Sequence, residues 1–161
     1  MSADVTVRRA DQAEAGQVGA LTERVYRDGG FGSDDYAEVL RDGRSRVRDG
    51  IVLVATADGA IAGTVTLALP GTRLAHLCRA DEAEVRMLAV DEAARGLGIA
   101  SRLMAACETL ARDQGLAAMI WCTETGMHAA HRLYERRGYA REPARDWQIR
   151  DVRLLAYCLT L

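Results

Sequence analysis

The sequence predicts a mixed α/β domain with a central sheet, and three observations predict it. Two helix-period segments lie before residue 50, two β-rich runs flank the hairpin signal Ala57-Asp58-Gly59, and strands and helices alternate after residue 84. With 161 residues and 49% hydrophobic content, the chain is long enough for one domain over residues 1–161. A chain of this size buries roughly 70% of the surface that its unfolded form exposes. No repeat, low-complexity tract or linker divides it.

Residues 5–8 alternate apolar and polar and read as a first strand. Asp11 caps the next element, a helix over residues 13–26 with Ala13, Val18, Leu21 and Val25 at helical spacing, broken by Arg27-Asp28-Gly29-Gly30-Phe31-Gly32. Ser33-Asp34-Asp35 starts a second helix carrying Tyr36, Val39, Leu40 and Val47, with Gly50 as its stop. Residues 51–56 and 60–69 are the hairpin strands, and Pro70-Gly71 ends the second. A longer connection over residues 72–83 contains Arg73, His76, Arg79, Asp81 and Glu82, and residues 84–90 resume a strand. The helix from Gly98 carries Leu103, Met104, Cys107, Leu110 and Ala111 and stops at Gly115. Residues 117–123 form a short strand apolar on both faces. A helix over residues 127–137 follows, with Met127, Ala130, Leu133 and Tyr134 on one stripe and Gly138 at its end. Tyr139-Ala140-Arg141 begins a strand, residues 142–147 form a loop, and residues 149–159 alternate as the final strand.

Composition removes several function classes. A net charge of −2 and a pI near 5.9 give no basic surface for nucleic acid. All 21 basic residues are arginine, so any lysine acetylation has to fall on another molecule. Cys78, Cys107, Cys122 and Cys158 are widely spaced, with no zinc-ligand pattern, and read as packing thiols in a reducing cytoplasm. No apolar run reaches the roughly 20 residues of a membrane helix and the N-terminus has no signal-peptide core, so a cytoplasmic protein without a membrane partner is expected. His128, His131 and Tyr134 recur every third residue on one helix, but zincin-type sites use i, i+4 spacing, so no metal is expected.

The functional signal is the strand at residues 84–90, a turn at residues 91–94, and Arg95-Gly96-Leu97-Gly98-Ile99-Ala100-Ser101 opening a long helix. A helix start with no side-chain cap and two glycines ahead of it presents free N–H groups and a positive dipole end to an anion, and phosphate is the usual occupant. A P-loop needs a lysine, and the chain has none. A dinucleotide fingerprint needs three glycines directly after a first strand, whereas here Ser101 holds the third place past mid-chain.

The loop Arg95-Gly96-Leu97-Gly98-Ile99-Ala100 resembles the [Q/R]-x-x-G-x-[G/A] signature of the GNAT superfamily of acetyl-CoA-dependent N-acetyltransferases. Glu84-Val85-Arg86-Met87-Leu88-Ala89-Val90 resembles the strand before that signature, and His131-Arg132-Leu133-Tyr134-Glu135-Arg136-Arg137-Gly138-Tyr139 its C-terminal L-Y-x-x-x-G-[F/Y] segment. The resemblance covers the whole chain in element order. It implies an acyl-CoA N-acyltransferase fold with a central, mostly antiparallel sheet flanked by helices. It also implies acetyl-CoA or coenzyme A as co-substrate, its pyrophosphate on the amides of Arg95, Gly96, Leu97, Gly98, Ile99, Ala100 and Ser101. The pantetheine arm is expected along the backbone of Leu88, Ala89 and Val90, and Arg95 and Arg102 are placed to add charge.

By the same resemblance Tyr134 is the general acid that protonates the departing thiolate, and Glu84 is the catalytic carboxylate, acting directly or through water. Many family members have Asn where His128 falls. The implied reaction is direct transfer of an acetyl group to a primary amine of a small molecule or peptide, and homodimers are common in such families. Arg73, Arg79 and Arg145, mixed with Asp28, Asp34, Asp35, Asp81, Glu82 and Asp146 in the loops, leave an acceptor bearing both ammonium and carboxylate open. The rival reading is a catalytically silent acyl-CoA-binding module, against which Tyr134 argues.

Overall fold

The computed structural model describes residues 2–161. Strand β1 (Val5–Arg9) leads into helix α1 (Ala15–Asp28), then α2 (Asp34–Arg41) and α3 (Gly43–Asp49). Strands β2 (Ile51–Ala57), β3 (Ala60–Ala68) and β4 (Glu82–Val90) follow. The second half runs α4 (Ile99–Asp113), β5 (Ala118–Glu124), α5 (His128–Arg136), β6 (Ala140–Arg141), β7 (Trp147–Ile149) and β8 (Val152–Thr160). The eight strands form one sheet ordered β1-β2-β3-β4-β5-β8-β6, with β7 also on β8. All pairings are antiparallel except β4 with β5. The mixed α/β fold with a mostly antiparallel central sheet is thus the one the sequence predicts.

Periodicity sorts the side chains onto the two faces of this sheet. On one face α4 buries Ile99, Leu103, Met104, Cys107 and Ala111 against Val65, Leu67, Val85 and Trp121, with Tyr134 and Tyr139 completing the core. On the other, Tyr26 of α1 and Tyr36 and Leu40 of α2 pack with Met87, Ala89, Cys122 and Leu154. Removing the Leu103 side chain, fully buried in the first core, to Ala would cost about 2–5 kcal/mol.

Two segments differ from the expectation. The single helix after Ser33 is two, α2 and α3, parted at Asp42, whose ψ of 69° is not helical and whose side chain accepts from the Ser45 N–H at 3.1 Å. The cause is tertiary: a Cβ on Gly43 would sit 2.0 Å from the Ala15 carbonyl oxygen, and one on Gly19 would sit 2.0 Å from that of Arg41. Backbone meets backbone there, and the junction bends to follow α1. The second difference is the final strand, which is a hairpin of β7 and β8 turning at Arg150 and Asp151. Arg150 takes a φ of 54° where glycine or asparagine would have signalled the turn.

Candidate active site

The parallel pairing of β4 with β5 runs from Glu82↔Ala118 to Val85↔Trp121 and stops, although β4 continues to Val90 and β5 to Glu124. A β-bulge causes the parting. Thr66 pairs with Arg86 but Thr64 with Ala89, so Val65 faces both Met87 and Leu88, and Met87 adopts a φ of 57°. Beyond Val85, β4 keeps its pairing with β3 and turns away from β5. Backbone groups of Leu88, Ala89 and Val90 on that side are left without a strand partner, which is the edge that an amide-bearing pantetheine chain needs. The bulge also sets consecutive residues Arg86 and Met87 on the same face, where both line one cavity.

At the end of β4 the chain turns through a short 3-10 segment, Glu92–Ala94, into the glycine loop. Gly96 and Gly98 have φ of 86° and 74°, and a Cβ on either would meet nothing within 4 Å. The requirement is therefore conformational, and the space in front of them is open. Gly98 is the N-cap of α4 in the left-handed region, with no side-chain cap. The Arg102 N–H donates to the Gly98 carbonyl, and the amides of Ile99, Ala100 and Ser101 ahead of it lack helical partners. Arg95 is exposed beside the loop. Arg102 is otherwise engaged, its Nη1 donating to the Val5 carbonyl at 2.8 Å. Arg137, which carries no assigned role in the sequence reading, donates to Ser101 Oγ at 2.9 Å and pairs with Glu108 at 2.8 Å, a carboxylate that also accepts from Tyr139 Oη at 3.0 Å.

Tyr134 packs from α5 into the core beside Trp121, Cys122 and Thr123 of β5, where that strand has parted from β4. Its ring lies 5.2 Å from that of Trp121 and 5.6 Å from that of Tyr157. Burial pushes its phenol well above the ordinary value, with the Cys122 thiol adding to the rise and a hydrogen bond with Thr123 offsetting part of it. It therefore carries its proton throughout the neutral range. Its neighbours Cys122 and Thr123 line a narrow crevice with Tyr26, Tyr36, Arg86 and Glu124.

The two carboxylates of the region differ. Glu84 is 0% exposed, and its Oε2 accepts from the N–H groups of His76, Leu77 and Cys78 at 2.8, 2.7 and 3.1 Å, while its buried Oε1 has no hydrogen-bond partner among the described residues. It ties the β3–β4 connection to the sheet. Glu124, which the sequence left unmarked, closes β5 at the crevice. Its Oε1 accepts from the Gly32 N–H at 3.0 Å, and its buried Oε2 is unpartnered. Burial raises the Glu124 carboxyl above its ordinary value, outweighing the Gly32 hydrogen bond.

Several of the loop charges named from the sequence are held in ion pairs. Arg145 holds Glu82 at 2.7 Å, Asp146 holds Arg141 at 2.7 Å, and Arg150 pairs with Asp35 at 3.4 Å. His131 turns Nε2 to the Glu124 carbonyl at 3.1 Å, and its ring stacks on Tyr157 at 5.5 Å, while His128 is exposed. Among the described residues no group of three His, Cys, Asp or Glu is placed to hold a metal ion, and no helix is long and apolar enough to cross a membrane. All four cysteines are free, and burial pushes Cys107 and Cys122 up to about 12.

Among curated proteins none matches the chain. Solved structures do. An acetyltransferase of the GNAT family from Staphylococcus aureus Mu50 superposes with a TM-score of 0.76 at 14% identity, covering 98% of this chain and 99% of that one. The PaiA N-acetyltransferase of Thermoplasma acidophilum, in complex with coenzyme A, gives 0.73 at 14% identity, covering 95% and 98%. The yncA protein of Salmonella typhimurium, with its cofactor acetyl-CoA, gives 0.69 at 18% identity, covering 97% and 93%. At these identities the likeness shows the fold. The family model described as Acetyltransferase (GNAT) family matches residues 19–139, a span that takes in the bulged strand, the glycine loop and Tyr134, and by that match the chain belongs to the GNAT acetyltransferase family.

Proposed function

We propose that the protein is an N-acetyltransferase that moves an acetyl group from acetyl-CoA directly to a primary amine of a small molecule or peptide. The observation that carries this reading is the gap between β4 and β5, with the uncapped start of α4 after β4 and the Tyr134 phenol beside Cys122 and Thr123 of β5. In this reading the pyrophosphate rests on the amides of Ile99, Ala100 and Ser101, and the pantetheine arm pairs with the free edge of Leu88, Ala89 and Val90.

The amine attacks the thioester carbonyl, a backbone N–H near Leu88 stabilises the oxyanion, and Tyr134 delivers its proton to the thiolate as the C–S bond breaks. The base is Glu124, which lines the crevice and keeps one buried carboxylate oxygen without a partner. Glu84, committed by Oε2 to three amides and outside both cavities, holds the connection that roofs the acceptor side. Cys122 lines the crevice as a thiol held up at about 12, a poor acyl carrier at neutral pH, which supports direct transfer. Following free-thiol release from acetyl-CoA with pooled amines tests the assignment. Amine-dependent release is expected, and coenzyme A binding with no release on any amine would instead identify a silent binding module.

A further inference from the structure

Against the crevice lies a cavity of about 150 Å³, bounded by the α2–α3 junction, β3, β4 and β7. Much of its wall is apolar, from Val39, Ala68, Leu74, Met87 and Ile149. Two guanidinium groups, Arg46 and Arg86, intrude on it, although those residues are only 4% and 6% exposed. No ion pair joins either to a carboxylate among the described residues. Of the carboxylates at hand, Asp42 also lines the cavity and attracts Arg46 without pairing with it, its side chain capping α3 through Ser45, and Glu84 holds the His76–Cys78 amides. A buried cation without an ion-pair partner is costly to fold, and two in one cavity also repel each other; Asp42 lies nearest Arg46 and leaves Arg86 unpaired.

The two differ in what they already hold. Arg46 donates from Nη1 to the Val39 carbonyl and from Nη2 to the Leu40 carbonyl, both at 2.8 Å, finishing α2. Burial lowers its pKa to about 10, which leaves it charged at neutral pH. Arg86 makes one hydrogen bond, to Tyr36 Oη at 3.3 Å, out of the five N–H donors that a guanidinium offers. It lies over the Trp147 ring at 5.4 Å, and His76 stacks on the same ring at 5.3 Å. Stacking holds the fork in place while its donors stay free. Arg86 also lines the crevice that contains Glu124, so one side chain faces both spaces.

We propose that this cavity receives the carboxylate and apolar side chain of the acyl acceptor, with Arg86 as the residue that selects the carboxylate. The acceptor is then a small apolar amino acid or a like amine bearing a carboxylate. The inference rests on the acetyl-transfer reading for the amine's fate, but the anion site stands on the arginines alone. A carboxylate matches one free guanidinium fork bidentately, and a ligand portion about the size of benzene fills a cavity of this volume. The ammonium end then lies toward Glu124 Oε2.

Titration calorimetry on the wild-type protein tests the site without turnover, using leucine, methionine and phenylalanine, their carboxamides, their decarboxylated amines, and the phosphonate analogue of leucine. The amino acids are expected to bind roughly 10- to 100-fold more tightly than the uncharged counterparts, the range for charge-assisted hydrogen bonds. Arg86→Gln, checked for an unchanged melting temperature, should erase that preference, and Arg86→Lys should restore part of it. Equal binding of carboxylate and carboxamide, no binding of any carboxylate, or tighter binding of the phosphonate would overturn the proposal, even if amines were acetylated. Carboxylate-selective binding without thiol release would keep the anion site and sink the acetyl-transfer reading instead.

Discussion

In the proposed reaction Tyr134 and Glu124 carry opposite demands on their protons, and burial serves both. A phenol whose pKa is raised by burial stays protonated until a thiolate forms beside it, so Tyr134, as the proposed acid, keeps its proton at neutral pH. Tyr134→Phe should lower kcat by roughly 10- to 10³-fold with coenzyme A affinity nearly intact, as measured by turnover and by calorimetry. Unchanged turnover would remove it from the role. For Glu124 the folded-state pKa is raised, so the folded protein binds more protons than the unfolded chain between the ordinary and the raised value, and stability falls as pH rises through that window. Catalysis needs the ionised form, so kcat/KM should rise with pH through the same raised value. Glu124→Gln should abolish that limb and lower kcat by roughly 10²- to 10⁴-fold without lowering the melting temperature. Glu84→Gln should act differently: losing the carboxylate that three amides share should lower the melting temperature by more than it changes the pH profile.

At the scale of elements, the bulge in β4 and the start of α4 together make the proposed cofactor path. Gly98 stands at a φ of 74° with open space ahead, so Gly98→Val combines a strained backbone with a side chain in the anion's approach. Coenzyme A affinity should fall to the detection limit of calorimetry while the fold, read by circular dichroism, survives. The strand, loop and helix here were legible because each has a local signature: alternation in residues 84–90, paired glycines, then 3.6-residue periodicity. Asp42 and Arg150 had none. One bends because α1 abuts Gly43, and the other turns at positive φ without glycine, so both are set by contacts distant in sequence.

For the whole molecule, the sheet's order brings β4 beside β5 and sets α1 and α2 over one face, and this assembles the proposed acceptor side. Arg86, Arg46 and Glu124 belong to three separate elements, and each looks in sequence like an ordinary charged residue. Only tertiary burial without an ion-pair partner singles them out. The same arrangement raises Cys122 to about 12, so mixing the protein with acetyl-CoA in the absence of an amine should leave no acetylated protein by intact mass spectrometry. A stable adduct on Cys122 would replace direct transfer with a two-step route. The central claim is that the gap between β4 and β5 holds the thioester, and a crystal structure with coenzyme A tests it most directly. It should place the pyrophosphate on the amides of Ile99–Ser101 and the thiol within hydrogen-bond reach of Tyr134 Oη. Coenzyme A bound with its thiol remote from Tyr134, or with its pyrophosphate away from the start of α4, would contradict the account.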